Sequence, residues 1–311
     1  MDHSSVSGDT TSDRPYGDEA PRRRLAEIHS AFSEIIVDEA DTARYLWFGY
    51  ARQAGVRLEH GEFDFQMALA SSQRCLDLGD LYQPHPKSVL HIGLGAGNAP
   101  MRNGLRFSNA RVEIVEIDPV VLDVACEWFG FDPERCSVHI SDAQAFLKAT
   151  DVGWDRLVFD AFLSAGGTSE LNVFPEYFLE RAFVELVAEK VTEDGLLVAN
   201  LNGALRGSES PSLLSLLSML EEVFGHLAVH SVADRTNDVS AVSEHPDLAL
   251  ADEHYIVFAS RQQLPSRAEL VDLATAAEGS AFVDPEIVTF ARNRIDDWRP
   301  PVAKLGSRKQ A

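Results

Sequence analysis

Residues 88–100 read Ser-Val-Leu-His-Ile-Gly-Leu-Gly-Ala-Gly-Asn-Ala-Pro, and few folds can accommodate such a run. Residues 89–92 are β-branched or aliphatic apart from His91, the length of a buried strand. Gly93, Gly95 and Gly97 follow at once, and Pro100 heads an amphipathic segment. The pattern predicts a strand that turns sharply into a helix. Glycine suits such a turn because it tolerates positive φ and has no Cβ to hold a ligand off the backbone. The helix that follows aims its free N–H groups over the turn. Alone, this glycine spacing is a weak nucleotide signal, and its meaning depends on what lies downstream.

Downstream, strand and helix patterns alternate. Strands are predicted at 111–116, 137–140, 156–159 and 196–201. Between them Asp118-Pro119 supplies a helix cap and a first helical proline, Gly130 a stop, Asp142 another cap, and Pro175 the start of a helix to about Val191. A helix over 211–224 precedes strands at 226–232 and 254–259, which can form an antiparallel hairpin on the sheet edge. The polar residues 233–253 between them read as a mobile flap. Such alternation predicts an α/β fold: a doubly wound, mostly parallel, Rossmann-like seven-stranded sheet, with ligands over the carboxyl ends of its strands.

Four divisions follow. Residues 1–24 are Ser, Asp, Gly and Arg rich and read as a disordered tail. Residues 25–86 hold two or three short antiparallel strands and a helix from Phe63 to about Leu81, a small N-terminal β unit. Residues 87–262 are the ligand-binding catalytic domain, and 263–311 a helical extension and tail. The chain has 27 basic and 49 acidic residues, a net charge of −22, so it lacks the basic footprint of a nucleic-acid binder. No run of 18 apolar residues marks a membrane span and no apolar leader a signal peptide. Three cysteines without C-x-x-C spacing read as buried thiols of a cytoplasmic protein.

Chemistry concentrates at successive strand tips. Gly93, Gly95 and Gly97 form the first. Glu116 ends the second strand, where a carboxylate can accept from both ribose hydroxyls. Asp142 and Ala143 follow the third, where a carboxylate can accept from an adenine amine. Asp160 follows the fourth and points into the same crevice. Each acid alone could be no more than a helix cap or loop residue; together they mark a site. The ten histidines show no metal-ligand spacing, and His91 reads as a core residue. No G-x-S-x-G elbow accompanies Ser164 or Ser169, and Asn98 falls where a dinucleotide fingerprint needs its third glycine.

These residues resemble a known family. Gly-Leu-Gly-Ala-Gly-Asn at 93–98, Val-Glu-Ile-Asp-Pro at 115–119, Ser-Asp-Ala at 141–143, Asp-Arg-Leu-Val-Phe-Asp-Ala-Phe at 155–162 and Asp-Gly-x-Leu-x-x-Asn at 194–200 are similar to the spermidine-synthase-like branch of class I S-adenosylmethionine (SAM)-dependent transferases. The resemblance spans roughly residues 34–260. Glu-Ile-Asp-Pro and Trp-Phe-Gly-Phe at 128–131 also look like the spermidine-synthase-like domain of a eukaryotic elongation-factor methyltransferase. The resemblance implies SAM as cofactor and, with the small β unit, a homodimer.

Three departures bear on the reaction. Aminopropyltransferases carry aspartate where this chain has Ala96, and a second aspartate where it has Leu163. Their Tyr-His-Glu run aligns with Phe65-Gln66-Met67. Each lost group would bind an ammonium or polar end of decarboxylated SAM or a polyamine, and a buried unpaired ammonium costs several kcal/mol. The expectation is therefore methyl transfer from SAM to a small-molecule or protein acceptor, an amine being favoured. Asp160 would orient the acceptor or take its proton, with Gln66 and Asn200 as further acceptor contacts. Aminopropyl or aminocarboxypropyl transfer or cyclisation is the alternative, and a non-catalytic SAM-binding module the third reading.

Overall fold

The computed structural model describes residues 22–40, 42–49, 51–164, 172–173, 176–206, 210–232 and 253–299; the 233–252 part of the expected flap and residues 1–21 lie outside them. The N-terminal unit is a five-stranded antiparallel sheet in sequence order: β1 (Arg23–His29), β2 (Glu34–Ala40), β3 (Ala43–Phe48), β4 (Ala51–Glu59) and β5 (Glu62–Asp64). It is larger than the expected two or three strands, for two local reasons. Arg23 and Arg24 look like tail residues by composition, yet across the ladder to β2 Arg23 pairs with Glu39 at 2.8 Å and Arg24 with Asp38 at 3.6 Å, so ion pairs accompany the backbone pairing of a polar strand. His60 (φ 53°) and Gly61 (φ 87°) make a two-residue turn with both residues at positive φ, the geometry that closes a tight hairpin. That turn carries the chain into β5 where the sequence predicted a helix from Phe63. Helix starts only at α1 (Ser71–Cys75), followed by a 3-10 turn (Leu76–Leu78) and α2 (Gly79–Tyr82).

The main sheet is built from β6 (Ser88–Ile92), β7 (Arg111–Glu116), β8 (Ser137–Ile140), β9 (Trp154–Phe159), β12 (Val191–Gly203), β13 (His226–Ser231), β14 (Glu253–Ser260) and β15 (Arg294–Ile295). Two-residue strands β10 (Leu163–Ser164) and β11 (Asn172–Val173) pair separately. The order is β15-β13-β14-β12-β9-β6-β7-β8. From β12 to β8 the ladders are parallel; β14, β13 and β15 add antiparallel pairs. Eight strands replace the expected seven because Arg294–Ile295, too short to show any period, pairs with β13.

The strand sequences specify two buried faces, since side chains alternate with period 2. Leu90, Ile92, Leu157, Phe159, Leu197 and Ala199 pack with Phe183, Val187 and Leu217 on one side. These come from α6 (Arg181–Lys190) and α7 (Ser210–Phe224), beside α5 (Ala143–Ala149). Val89, Val158, Val198 and Phe258 face the other way, onto Leu76, Leu270 and Phe290, from the linker and from α8 (Arg267–Ala277) and α9 (Ile287–Arg292). Fully burying a Val, Leu or Phe side chain stabilises by about 1.5–3 kcal/mol, so reversing this alternation would be prohibitive.

The connection from β6 runs through α3 (Asn98–Arg106) to β7 and through α4 (Pro119–Phe129) to β8; the chain then returns to β9, on the other side of β6. The crevice between β6 and β9 is thus the topological switch point, where ligands of doubly wound sheets bind. Beneath α3 lies a buried ion cluster. Arg106 reaches Asp77 at 2.9 Å and Asp80 at 2.7 Å, Arg156 of β9 reaches Asp80 at 2.7 Å, and Arg102 also meets Asp77. Among the described residues no helix is long and apolar enough to cross a membrane.

Candidate active site

Four strand tips, those of β6, β7, β8 and β9, are stitched together by three backbone hydrogen bonds. Gly93 N–H donates to Val115 O at 2.9 Å, Asp160 N–H to Ile92 O at 3.0 Å, and Ser141 N–H to Glu116 O at 2.9 Å. Gly93 has φ 97°, and a Cβ there would stand 2.4 Å from the Asp160 carbonyl oxygen. Gly97 has φ 77° as the left-handed cap of α3, and a Cβ would stand 2.5 Å from the Phe131 ring. The positions that Cβ atoms on these two glycines would take are occupied by the Asp160 carbonyl and the Phe131 ring, so neither site tolerates a side chain. Their effect is to draw the first turn against the Asp160 backbone and the Phe131 ring. Gly95 differs: its nearest neighbour is Ala54 Cβ at 3.7 Å, so the N-terminal sheet closes over the turn.

Glu116 is buried, and its two oxygens accept from Leu94 N–H at 3.0 Å and Asp118 N–H at 2.9 Å. Burial pushes its carboxyl above the usual range, and these backbone bonds oppose that. Asp142 caps α5 by accepting from Ala145 N–H at 2.9 Å; its other oxygen accepts from the Tyr177 hydroxyl at 3.3 Å. Ala143 is buried at the first position of the helix. Gln66 is exposed in the turn after β5, where its N–H donates to Asp64 Oδ1 at 2.8 Å. No described hydrogen bond joins its side chain to the Asp160 crevice.

Asp160 and Asn200 do come together. Asn200 lies on β12 beside the end of β9, is 3% exposed, and donates from Nδ2 to Asp160 Oδ1 at 2.9 Å. Burial raises the Asp160 carboxyl, while the Asn200 bond and nearby His254 pull it down. His254, near the start of β14, was passed over in the sequence because it lacks ligand spacing. Its Nδ1 is 3.4 Å from Asn200 Oδ1, and its ring centroid is 6.2 Å from that of Phe162. Only the β12–β14 register, which sets Asn202 opposite His254, brings it here, and local sequence carries no trace of that pairing. Tyr177 was missed likewise: it falls within the predicted 175–191 helix, but the structure sets it on a 3-10 turn (Glu176–Leu179) ahead of α6.

Two buried groups at these tips have spare hydrogen-bonding capacity. Asp118 Oδ2 and both amide atoms of Asn98 have no hydrogen-bond partner among the described residues. With Glu116, Asp118 forms an acceptor-only set, matching the hydroxyl donors of a ribose. Asn98, at the start of α3, offers one donor and one acceptor group beside a helix N-terminus, suited to a zwitterionic amino-acid end. These residues fit a SAM-type ligand. A separate group, Glu27, His29 and Glu34, lies on the β1–β2 hairpin with ligand atoms within 4.8 Å of one another; Arg24 already pairs with Glu27 there.

Residues 71–210 match the spermine/spermidine synthase domain. The human eEF1A lysine and N-terminal methyltransferase is 31% identical over 173 residues, 53% of this chain and 24% of that protein. The polyamine aminopropyltransferase of Vibrio vulnificus is 30% identical over 184 residues, 57% of this chain and 58% of that enzyme. The chain thus spans about a quarter of the length of the methyltransferase relative. A probable spermidine synthase from Corynebacterium glutamicum has the same fold, with TM-score 0.64 and 20% identity over 86% of this chain and 93% of that one.

Proposed function

We propose that this chain is a SAM-dependent methyltransferase of an amine on a protein or small molecule. Ala96 carries the argument. It is 1% exposed and packs in the apolar cluster with Ile35, Val37, Ala54 and Phe131. An aminopropyltransferase places a carboxylate at this position of the turn. Here the position is sealed in hydrocarbon, with no group to balance a second ammonium. The relatives named as methylating lysine and N-terminal amines support an amine acceptor, and the charge of −22 suits a cationic one.

In this reading Gly95, Gly97 and Asn98 meet the methionine end of SAM, Glu116 with Asp118 the ribose, and Asp142 with Ala143 the adenine. Bound SAM supplies a methyl carbon: its bond to nitrogen forms as its bond to sulfur breaks, the electron pair staying on sulfur. The protein aligns the nitrogen with that carbon and excludes water, and Asp160 holds the acceptor's cationic nitrogen. The free cysteines suit a cytoplasmic location. A homodimer belongs to the same proposal, and sizing by light scattering tests it.

Incubating the protein with SAM or decarboxylated SAM and lysine-bearing peptides or diamines tests the reaction. S-adenosylhomocysteine, read by mass spectrometry, is the expected by-product; methylthioadenosine would transfer the assignment to aminopropyl chemistry. If neither compound raises the melting temperature, the SAM assignment fails.

A further inference from the structure

An amine acceptor arrives largely as an ammonium, since an ordinary lysine has a pKa of about 10.4. It has no lone pair to offer until a proton leaves. The hydrogen bonds around Asp160 determine which group can receive it.

Asp160 Oδ1 accepts from Asn200 Nδ2. That bond orients the Asn200 amide, because the carboxylate cannot face the amide oxygen at 2.9 Å. The amide oxygen is therefore the atom that faces His254 Nδ1 at 3.4 Å. An oxygen acceptor requires a proton on Nδ1. In a neutral imidazole one nitrogen then carries hydrogen and the other keeps its lone pair, so the basic nitrogen is Nε2. No described residue hydrogen-bonds to Nε2, and His254 is partly open to solvent. The same logic orients a catalytic imidazole through the group behind it in hydrolases, here on the edge of a parallel sheet.

Resting on the amine-methylation reading above, the geometry points to His254 as the catalytic base: Nε2 takes the proton from the acceptor ammonium, and Asn200 positions the ring. The N–H bond of the ammonium breaks, its electron pair remains on nitrogen as the nucleophile, and the imidazole becomes imidazolium. That proton then passes to solvent. Asp160 is the charged group that acts on the imidazole; Asn200, Phe162, Asn202 and Val232, which also lie beside His254, are neutral. Desolvation of the ring lowers its pKa, against the pull of Asp160. Asp160 and His254 thus divide the work: the carboxylate holds the cation and the imidazole discharges it.

The first test needs no substrate. Long-range 15N–1H spectra of the full chain at pH 7.5, with His254 assigned by its loss in His254→Gln, should show hydrogen on Nδ1 and none on Nε2. Asn200→Leu should abolish that preference. A hydrogen on Nε2 overturns the inference. The second test uses SAM with an acetyl-capped pentapeptide containing one lysine and with its uncapped counterpart. His254→Gln should lower kcat at pH 7.5 by about 10²-fold, within the range for general bases, with SAM affinity within twofold. The deficit should close as pH rises towards 10 and solvent deprotonates the amine. If the wild type releases S-adenosylhomocysteine and His254→Gln matches it from pH 6 to 10, His254 is not the base. If the wild type itself transfers no methyl group, the amine-methylation reading fails, and with it the base, whatever the tautomer.

Discussion

Two places on the same sheet hold enclosed carboxylates, and they handle them in opposite ways. Under α3, Asp77 and Asp80 meet Arg102, Arg106 and Arg156, so each acid has a cationic partner. At the carboxyl edge, Asp160 has one neutral amide and a nearby histidine whose pKa desolvation lowers. The first arrangement uses charge to pin the linker and α3 onto β9. The second leaves a carboxylate under-compensated, and this is where a cationic ligand gains most from entering. Burial alone therefore does not distinguish a structural acid from a functional one; the partners do.

Removing a partner should break the two regions differently. Arg156→Met removes one of the two cations on Asp80, leaving Arg106, and strands the carbonyls of Gly79 and Gln83 that Arg156 also bonds. Breaking a buried pair from one side costs about 3–5 kcal/mol when no other cation remains; with Arg106 still on Asp80, urea unfolding should show a loss below that ceiling, with the surviving folded fraction retaining SAM affinity. Asp160→Asn should reverse the pattern. Turnover should fall by about 10²-fold, a barrier increase of about 2.7 kcal/mol, while the unfolding midpoint holds or rises. If Asp160→Asn unfolds the protein and Arg156→Met only slows it, the contrast is wrong.

Acid separates the regions again. His91, beside the ion cluster, is pushed down to about 3 by burial and by Arg156, and the buried His230 also to about 3. Their folded values lie below the unfolded value of 6.5. Their contribution is complete above pH 6.5 and drains away as pH falls from 6.5 towards 3, by up to about 1.4 kcal/mol per pH unit for each ring. Asp160 runs the other way: its folded value is raised, so its contribution is present below the unfolded carboxylate value and lost as pH climbs through the folded one. As pH falls from 7 to 5 the unfolding free energy should therefore drop, and His91→Asn should make that slope shallower by up to about 1.4 kcal/mol per unit.

The smallest effect belongs to an acid with two assignments. Asp142 caps α5 and is the proposed adenine acceptor. Asp142→Ala should lose about 1 kcal/mol of stability along with SAM affinity, whereas Asp142→Asn keeps the cap and should lose affinity alone. Equal SAM titrations for Asp142→Asn and the wild type would leave Asp142 with its structural role only.

Legibility in the sequence followed locality. β6, β7, β8, β9 and the 196–201 part of β12 were readable because each is a short apolar run bounded by cap or turn residues, and Gly93, Glu116, Asp142 and Asp160 each stand at or just past the end of such a run. The N-terminal strands were under-counted because β1 is polar and ion-paired, and because His60-Gly61 makes its turn without the usual asparagine or aspartate signal. His254 was invisible for a deeper reason. Its role depends on which strand lies beside β12, and that is a matter of tertiary pairing. Asn98 was seen only as a missing glycine, since burial of an amide without partners cannot be read from spacing.

The pairing of β14 with β12 also sets a timetable for a chain made from its N-terminus. Asn200 follows Asp160 by 40 residues, and His254 follows Asn200 by 54. At about 5–20 residues per second, the glycine turn and the three acids are synthesised about 5–20 seconds before the strand that carries the imidazole. On the ribosome, the residues proposed to hold the cofactor are made first, and the proposed base last.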